Sequence, residues 1–213
     1  MKAIVIGAGL AGCEAAFQLA QRGHEVDLYE MRPTTQTGAH KTDMPAEFVC
    51  SNSLGAKEPT SASGLLKTEM EMLGSVLLKV AKEVQTPAGN ALAIDRVLFS
   101  QKIKELIDKN DKINYIQKEI TEIPQNIPVI IASGPLTSDK LAQNIKDFTQ
   151  EEHLHFFDAI APIVEKESIN FDKAFYANRY DKGDADYINC PMTKNEYLKF
   201  HSGKLKQQLP QML

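Results

Sequence analysis

The stretch KAIVIGAGLAG at residues 2–12 decides the fold class of this chain. Residues 2–6 form a short apolar run, as expected of a buried strand in a parallel sheet. Residues 7–12 have the spacing G-x-G-x-x-G, and residues 13–20 continue with good helix formers. Because a strand, a glycine turn and a helix in this order begin a βαβ unit, the sequence predicts an α/β fold built on a Rossmann-like nucleotide-binding domain.

Each glycine of this turn has its own expected task. The first makes the tight turn, the second lets the backbone approach a pyrophosphate, and the third lets the helix pack closely on the strand. Glu30 stands 18 positions after the last glycine, at the end of a predicted second strand, where its carboxylate could accept from both ribose hydroxyls and would repel a 2′-phosphate. FAD or NAD is therefore favoured over NADP as the ligand. The alternative to nucleotide binding is an ordinary glycine-rich turn with a surface glutamate. The predicted cofactor-binding residues are Gly7, Ala8, Gly9, Leu10, Ala11, Gly12 and Glu30.

A second glycine turn is predicted further along the chain. Residues 128–132 form another apolar run, which predicts a buried strand, and Ser133 and Gly134 follow it. Flavoproteins of the glutathione-reductase type return to the nucleotide through an apolar strand that ends in such a small-residue turn, and this segment is similar. The combination favours FAD over NAD and adds Ser133 and Gly134 to the cofactor-binding residues. A plain strand and turn without a ligand is the alternative.

The composition excludes several classes of protein. The 213 residues are 43% hydrophobic, enough for a packed core. The 24 basic and 28 acidic residues give a net charge of −4, which argues against binding nucleic acid by bulk positive charge. No apolar run reaches the roughly 18–20 residues of a membrane helix, so no membrane partner is expected. The three cysteines are too few and too widely spaced for a disulfide framework or a CxxC zinc pair, so we expect a cytoplasmic protein without a metal.

The rest of the chain predicts further elements and a domain boundary. Apolar residues recur at helical spacing over 65–81, which predicts one amphipathic helix. Asp95 is expected to cap a helix that ends near residue 109, and residues 113–116 read as a strand. Aromatic residues become frequent beyond residue 147. We therefore expect the N-terminal part of an FAD-binding domain at 1–140 and the start of a second, truncated domain at 141–213.

Several separate strings in this chain, in this order, resemble one protein family. They include FVCSNSL at 48–54, GLLK at 64–67, AIDR at 93–96, ASGPLTS at 132–138 and NCPM at 189–192. The family is the folate- and FAD-dependent tRNA uracil-5-methyltransferases, TrmFO, with the GidA-type flavoproteins as more distant relatives. The resemblance runs from residue 1 to about residue 200. It implies an incomplete FAD domain of the glutathione-reductase type and part of an α+β insertion domain, in a C-terminally shortened member.

The resemblance also implies a reaction. In that family, methylenetetrahydrofolate supplies the one-carbon unit, FAD is the cofactor, NADH or NADPH is the reductant, and C5 of a uridine in the tRNA T-loop becomes methylated. Cys50 matches one of the family's two catalytic cysteines and is the predicted catalytic residue, as nucleophile or as base. No motif for the second cysteine is found before Leu213, and Cys190 belongs to a different string.

Three alternatives to tRNA methylation stay open from the sequence. The same chemistry could act on ribosomal RNA, because the strings would not change. The glycine turns alone would also suit a flavin- or NAD-dependent oxidoreductase of a small molecule. The missing second cysteine would suit an inactive fragment. The oligomeric state is not predicted.

Overall fold

The structure is a computed structural model, and it describes residues 1–49, 51–150, 164–179 and 182–208. The chain divides into two compact units, Met1–Ile163 and Val164–Leu213. A parallel sheet with helices builds the first unit, so the predicted α/β class is confirmed. Its strands are β1 (Lys2–Ile6), β2 (Glu25–Glu30), β3 (Ser53–Ala56), β4 (Gln85–Thr86), β5 (Ala91–Ile94), β6 (Ile113–Gln117) and β7 (Val129–Ile131). Its helices are α1 (Leu10–Gln21), α2 (Ala62–Met72), α3 (Val76–Glu83), α4 (Arg96–Asp108) and α5 (Asp139–Thr149).

The main sheet is parallel throughout and has the strand order β6-β2-β1-β7. Successive side chains of a strand point to opposite faces. In β1, Val5 joins the main core, whereas Ile4 and Ile6 pack with Leu141 of α5 on the other face. Because both faces are covered, β1 is apolar without alternation. Helix α5 thus packs against the sheet although it overlaps the start of the expected second domain, 141–213.

A second, antiparallel sheet has the order β3-β5-β4 and is absent from the sequence predictions. Its strands are two to four residues long, too short to show a period-two pattern. The turn at residues 87–90 joins β4 to β5 and contains Gly89 at φ +54°. Helix α4 begins as predicted, since the Asp95 side chain accepts from the backbone N–H groups of Val97 and Leu98, both at 3.0 Å.

The prediction of one helix over 65–81 is wrong, because two helices, α2 and α3, share this segment. The break contains Gly74, whose φ of +81° lies in the left-handed region that favours glycine. A tertiary contact stabilises the new start. The carboxylate of Glu14, on α1, accepts from Ser75 Oγ at 2.8 Å and from the backbone N–H groups of the first two residues of α3 at 3.1 and 3.0 Å. Glu14, which belongs to α1, therefore caps the N-terminus of α3.

The prediction that the strand after residue 128 is buried is also wrong in part. Strand β7 pairs only with β1 among the described residues and lies at one edge of the sheet. The side chains of Ile130 and Ile131 are each 39% exposed. The edge position explains this exposure, because no neighbouring strand covers the second side of β7 within the described ranges.

In the second unit, the described residues include an antiparallel hairpin and an α-helix. The strands of the hairpin are β8 (Phe175–Arg179) and β9 (Lys182–Asn189), and the helix is α6 (Lys194–Gln208). Cys190 follows β9 directly and is exposed. In the part of the chain that the structure describes, every helix falls short of the length and apolar character that a bilayer crossing demands.

Candidate nucleotide site and the segment around Cys50

The three glycines of the first turn have different surroundings. Gly7 has a φ of +98°, and a Cβ placed on it would lie 2.7 Å from the Cα of Ser133. A Cβ on Gly12 would lie 1.8 Å from the carbonyl oxygen of Gly7. At Gly9, no described atom comes within 4 Å of an added Cβ, and this residue caps α1 without a side-chain hydrogen bond. Close packing therefore requires Gly7 and Gly12, while Gly9 leaves the N-terminus of α1 accessible to an anion.

Glu30 ends β2 beside this turn and is 6% exposed. One of its carboxylate oxygens accepts from the backbone N–H of Ala8 at 3.1 Å. The other accepts from both the backbone N–H and the Nε of Arg32, at 3.1 and 2.9 Å. A carboxylate has about four acceptor positions, so one remains free. In this structure Glu30 can accept from one ribose hydroxyl and not from the two that the sequence analysis expects.

Arg32 is the residue that sequence reasoning missed. Its side chain is 1% exposed, and it pairs with Glu30 and, through Nη1 at 2.8 Å, with Glu47. Its guanidinium also donates to two backbone carbonyls of the loop after β2. A single Arg in a polar segment gives no sequence signal for burial. Because four of the five guanidinium N–H donors are used in these contacts and two carboxylates share its charge, Arg32 is poorly suited to bind a 2′-phosphate.

The charge pair sets the ionisation of the site. Burial by itself would raise the pKa of Glu30, but the hydrogen bonds and the charge of Arg32 outweigh it and hold that pKa below the usual value. Burial lowers the pKa of His40, and the positive charge of Arg32 lowers it further. At neutral pH the site therefore contains an ionised Glu30, a cationic Arg32 and a neutral His40.

A narrow cleft of about 70 Å³ opens at the carboxyl ends of β1, β2 and β7. Its lining includes Gly7, Gly9, Glu30 and Ser133, so the structure brings these four predicted residues together. The strand order reverses between β1 and β7, and ligands of open α/β sheets bind at such a position. The volume is below the roughly 300–1,000 Å³ of small-molecule pockets, so a dinucleotide would extend beyond the cleft.

The other predicted cofactor-binding residues lie around this cleft and do not line it. Ala8 is buried, and its backbone N–H donates to the carboxylate of Glu30. Gly12 is buried in α1, Leu10 is half-buried against the main core, and Ala11 is exposed. Gly134 has a φ of +65°, with open space at its Cβ position among the described residues.

Cys50, the predicted catalytic residue, lies outside the described residues, but the chain on each side of it is described. Before it, the ring of Phe48 meets that of Phe99 edge-on, with centroids 5.3 Å apart. Two residues earlier, the backbone N–H of Ala46 donates to the carbonyl of Ala8 at 2.7 Å, which joins this segment to the first glycine turn. After it, the carbonyl of Asn52 accepts from the backbone N–H of Ile94 at 2.9 Å. The segment is thus anchored on both sides to the first unit.

The other two cysteines differ from each other. Cys13 is fully buried in the main core, and burial raises the pKa of its thiol. Cys13 therefore serves as a small core residue. Cys190 is exposed and lies in the second unit.

The family model for glucose inhibited division protein A, GidA, matches residues 2–211 of this chain. The chain belongs to the GidA family. Its similarity to TrmFO, expected from the strings quoted above, is confirmed. The methylenetetrahydrofolate–tRNA-(uracil-5-)-methyltransferase TrmFO of Sulfurihydrogenibium sp. is 51% identical over 211 residues, which are 99% of this chain and 48% of that protein.

Two further TrmFO relatives give the same result. That of Aquifex aeolicus is 53% identical over 97% of this chain and 46% of its own length, and that of Natranaerobius thermophilus is 55% identical over 94% and 46%. The chain thus spans about half the length of the curated relatives it matches. The solved structure of Aquifex aeolicus GidA covers 59% of this chain and 21% of its own, with 19% identity and a TM-score of 0.46, too low to add to the assignment.

Proposed function

We propose that this chain is the nucleotide-binding part of an FAD- and folate-dependent methyltransferase that methylates C5 of a uridine in the T-loop of tRNA. The observation that carries the proposal is the 51–55% identity to TrmFO proteins over 94–99% of the chain. The substrate RNA, methylenetetrahydrofolate and NADH or NADPH follow from that family. A cytoplasmic location belongs to the same proposal.

The geometry of the first unit fits FAD. The N-terminus of α1 at Gly9 offers backbone N–H groups and a positive dipole to a pyrophosphate. Glu30 offers its free acceptor position to a ribose hydroxyl, and Arg32 holds that carboxylate in place. Ser133 approaches the same cleft from β7. Bound FAD would supply hydride transfer to the reaction, and Gly9, Glu30 and Ser133 would bind and orient it.

Cys50 is proposed to act on the RNA. A thiolate that adds to C6 of uracil makes C5 nucleophilic towards a one-carbon unit, and a thiol with a pKa near 8.5 needs little adjustment for this role. The link from Ala46 to Ala8 supports the proposal, because it connects the Cys50 segment to the turn that would hold the cofactor.

The experiment measures binding and chemistry separately. The 213-residue chain is titrated with FAD by visible absorbance and is then incubated with a T-loop transcript, methylenetetrahydrofolate, FAD and NADPH. We expect a bound-flavin spectrum in both the parent and Cys50→Ala, with methylated uridine formed by the parent only. A Cys50→Ala variant that methylates as fast as the parent would contradict the role of Cys50.

A second candidate function is supported by the length comparison. The chain covers 46–48% of the relatives, so it could bind FAD without completing the reaction. Flavin binding with no methylation in the parent would favour this alternative. Failure of a folded sample to bind FAD would contradict both.

A further inference from the structure

His40 lines the narrow cleft at the carboxyl ends of β1, β2 and β7, together with Glu30. It lies on the loop after β2 and is half-buried. Its backbone N–H donates to the hydroxyl of Thr37 at 3.3 Å, and the same hydroxyl lies 2.6 Å from the ring nitrogen Nδ1. Within the described ranges, the second ring nitrogen, Nε2, has no hydrogen-bond partner. The ring thus has one occupied nitrogen and one open nitrogen.

The contact with Thr37 decides which ring nitrogen carries the proton. A hydroxyl has one proton to donate and two lone pairs that accept. The Thr37 hydroxyl already accepts from the backbone of His40, and Nδ1 is the acceptor that lies within reach of its proton. Burial and the charge of Arg32 lower the pKa of the imidazole, so at neutral pH it has a single N–H. Since Nδ1 accepts, that proton is on Nε2, and His40 is a hydrogen-bond donor in the cleft.

The loop also holds His40 from its other side. The next two residues donate their backbone N–H groups to the carboxylate of Glu47, at 2.8 and 3.2 Å. Glu47 is paired with buried Arg32, which is paired in turn with Glu30. Burial and the charge of Arg32 lower the pKa of the His40 ring, whereas the charges of Glu47 and Glu30 raise it, so all three side chains lie close to the ring. A continuous set of contacts therefore connects His40 to the carboxylate that is proposed to bind ribose.

Two other charged residues of the cleft have different chemistry. The carboxylate of Glu119 accepts from the hydroxyl of Thr35 at 2.8 Å and, being an acceptor, cannot donate to a ligand oxygen. Lys118 is exposed and carries an ammonium, which suits a phosphate. The N–H of His40 is a neutral donor beside Glu30, and a neutral donor suits the oxygen of an uncharged hydroxyl.

We propose that His40 is a specificity-determining residue of the cofactor site, whose Nε2–H donates to a ribose hydroxyl of the nucleotide. Glu30 has one free acceptor position, so it can take the proton of one hydroxyl. The oxygen of that hydroxyl still has lone pairs, which accept from His40. A site built to bond both sides of a hydroxyl discriminates against a nucleotide that lacks it. This inference rests on the proposed binding of FAD.

The ADP half of FAD provides the probe for the test. FAD binding is measured by direct titration of flavin fluorescence at neutral pH. The affinities for ADP and for 2′,3′-dideoxy-ADP, which lacks both ribose hydroxyls, are then measured by displacement of the bound FAD. His40→Phe removes the donor. In His40→Gln the side-chain amide nitrogen takes the place of Nε2, whereas in His40→Asn it takes the place of Nδ1. The matched control is Lys118→Met, which removes the cationic donor of the same cleft.

The hydroxyls and His40 should depend on each other. We expect His40→Phe to weaken ADP about tenfold, as the loss of one hydrogen bond would, and to leave the affinity for dideoxy-ADP unchanged. His40→Gln should recover most of the affinity for ADP, and His40→Asn should not. Lys118→Met should weaken ADP and dideoxy-ADP by the same factor, because a phosphate contact does not involve the hydroxyls.

The position of the ring proton is measured separately, without ligand. Nitrogen NMR of the protein with isotope-labelled histidine distinguishes a protonated from an unprotonated ring nitrogen, and the signals of His40 are those missing in His40→Gln. We expect an unprotonated Nδ1 and a protonated Nε2 at neutral pH. A protonated Nδ1 would overturn the inference, because Nε2 would then have no proton to donate.

The binding results separate this inference from the proposed function. Failure of the folded parent to bind FAD contradicts both. FAD binding with equal affinities for ADP and dideoxy-ADP, or an equal loss of both in His40→Phe, overturns the inference about His40 alone. Alkylation of buried Cys13 reports whether the first unit stays folded. If His40→Phe exposes Cys13, the comparison of His40→Asn with His40→Gln replaces it, and equal affinities for ADP in these two variants overturn the inference.

Discussion

Replacing Arg32 by Met tests the buried charge network most directly. The guanidinium is 1% exposed and forms ion pairs with Glu30 and Glu47, whose side chains are 6% and 11% exposed. Removing one partner of a buried ion pair leaves an uncompensated charge and costs about 3–5 kcal/mol. The exposed pair between Lys82 and Glu71 gives the matched control. Its loss in Lys82→Met should cost at most about 1 kcal/mol.

Urea unfolding of the first unit can be followed by pulse alkylation of Cys13, which is 0% exposed in the folded state. With an m-value of about 2 kcal/mol/M, the expected loss lowers the midpoint by about 1.5–2.5 M. A midpoint within about 0.5 M of the Lys82→Met control would refute the conclusion that removing Arg32 leaves buried, uncompensated carboxylates.

The pH dependence has a definite sign. Since the folded-state pKa of Glu30 lies below its ordinary value of 4.5, its contribution to stability is present above pH 4.5 and is lost as the pH falls through the folded-state pKa. In Arg32→Met, burial without the cation favours the protonated acid. The difference in stability between parent and variant should therefore be largest near pH 7 and should shrink towards pH 4. A difference that is constant over this range would contradict the electrostatic explanation.

Three further substitutions test the glycine turn and the helix break. Gly12→Ala places a Cβ 1.8 Å from a backbone oxygen and should cost more than the roughly 1–3 kcal/mol of ordinary overpacking, measured by urea unfolding. In Gly9→Ala the added Cβ lies in open space, so the variant should unfold at the same urea concentration as the parent. It should bind FAD at least about tenfold more weakly in an absorbance titration, because the methyl group would obstruct the pyrophosphate. An affinity equal to that of the parent would exclude a pyrophosphate at this position. Glu14→Ala removes the acceptor at the start of α3 and should lower the free energy of unfolding by about 1–2 kcal/mol. The control Glu69→Ala changes an exposed acid on α2 and should lower it by less than about 0.5 kcal/mol. Equal losses in the two variants would contradict the capping role of Glu14.

Local signals in the sequence are enough for the start of the fold. The apolar run, the glycine spacing and the acid after the second strand predict β1, α1 and β2 because each depends on neighbouring residues or on a short, fixed crossover. The cap at Asp95 is local in the same sense, and α4 begins where it predicts. The family strings likewise identify the relatives, because each string is a run of neighbouring residues and their order along the chain is kept. Their placement of Cys50 stays a prediction, since that residue lies outside the described ranges.

Only the tertiary structure decided the features that depend on distant contacts. The continuous apolar pattern over 65–81 divides into two helices because Glu14, 60 positions before Gly74 in the chain, caps the second one. Arg32 is buried because it forms ion pairs with both Glu30 and Glu47, which lies 15 positions further along the chain. Sequence periodicity measures burial along one element, whereas the ionisation and anchoring of a site depend on which charges and carbonyls the fold brings together.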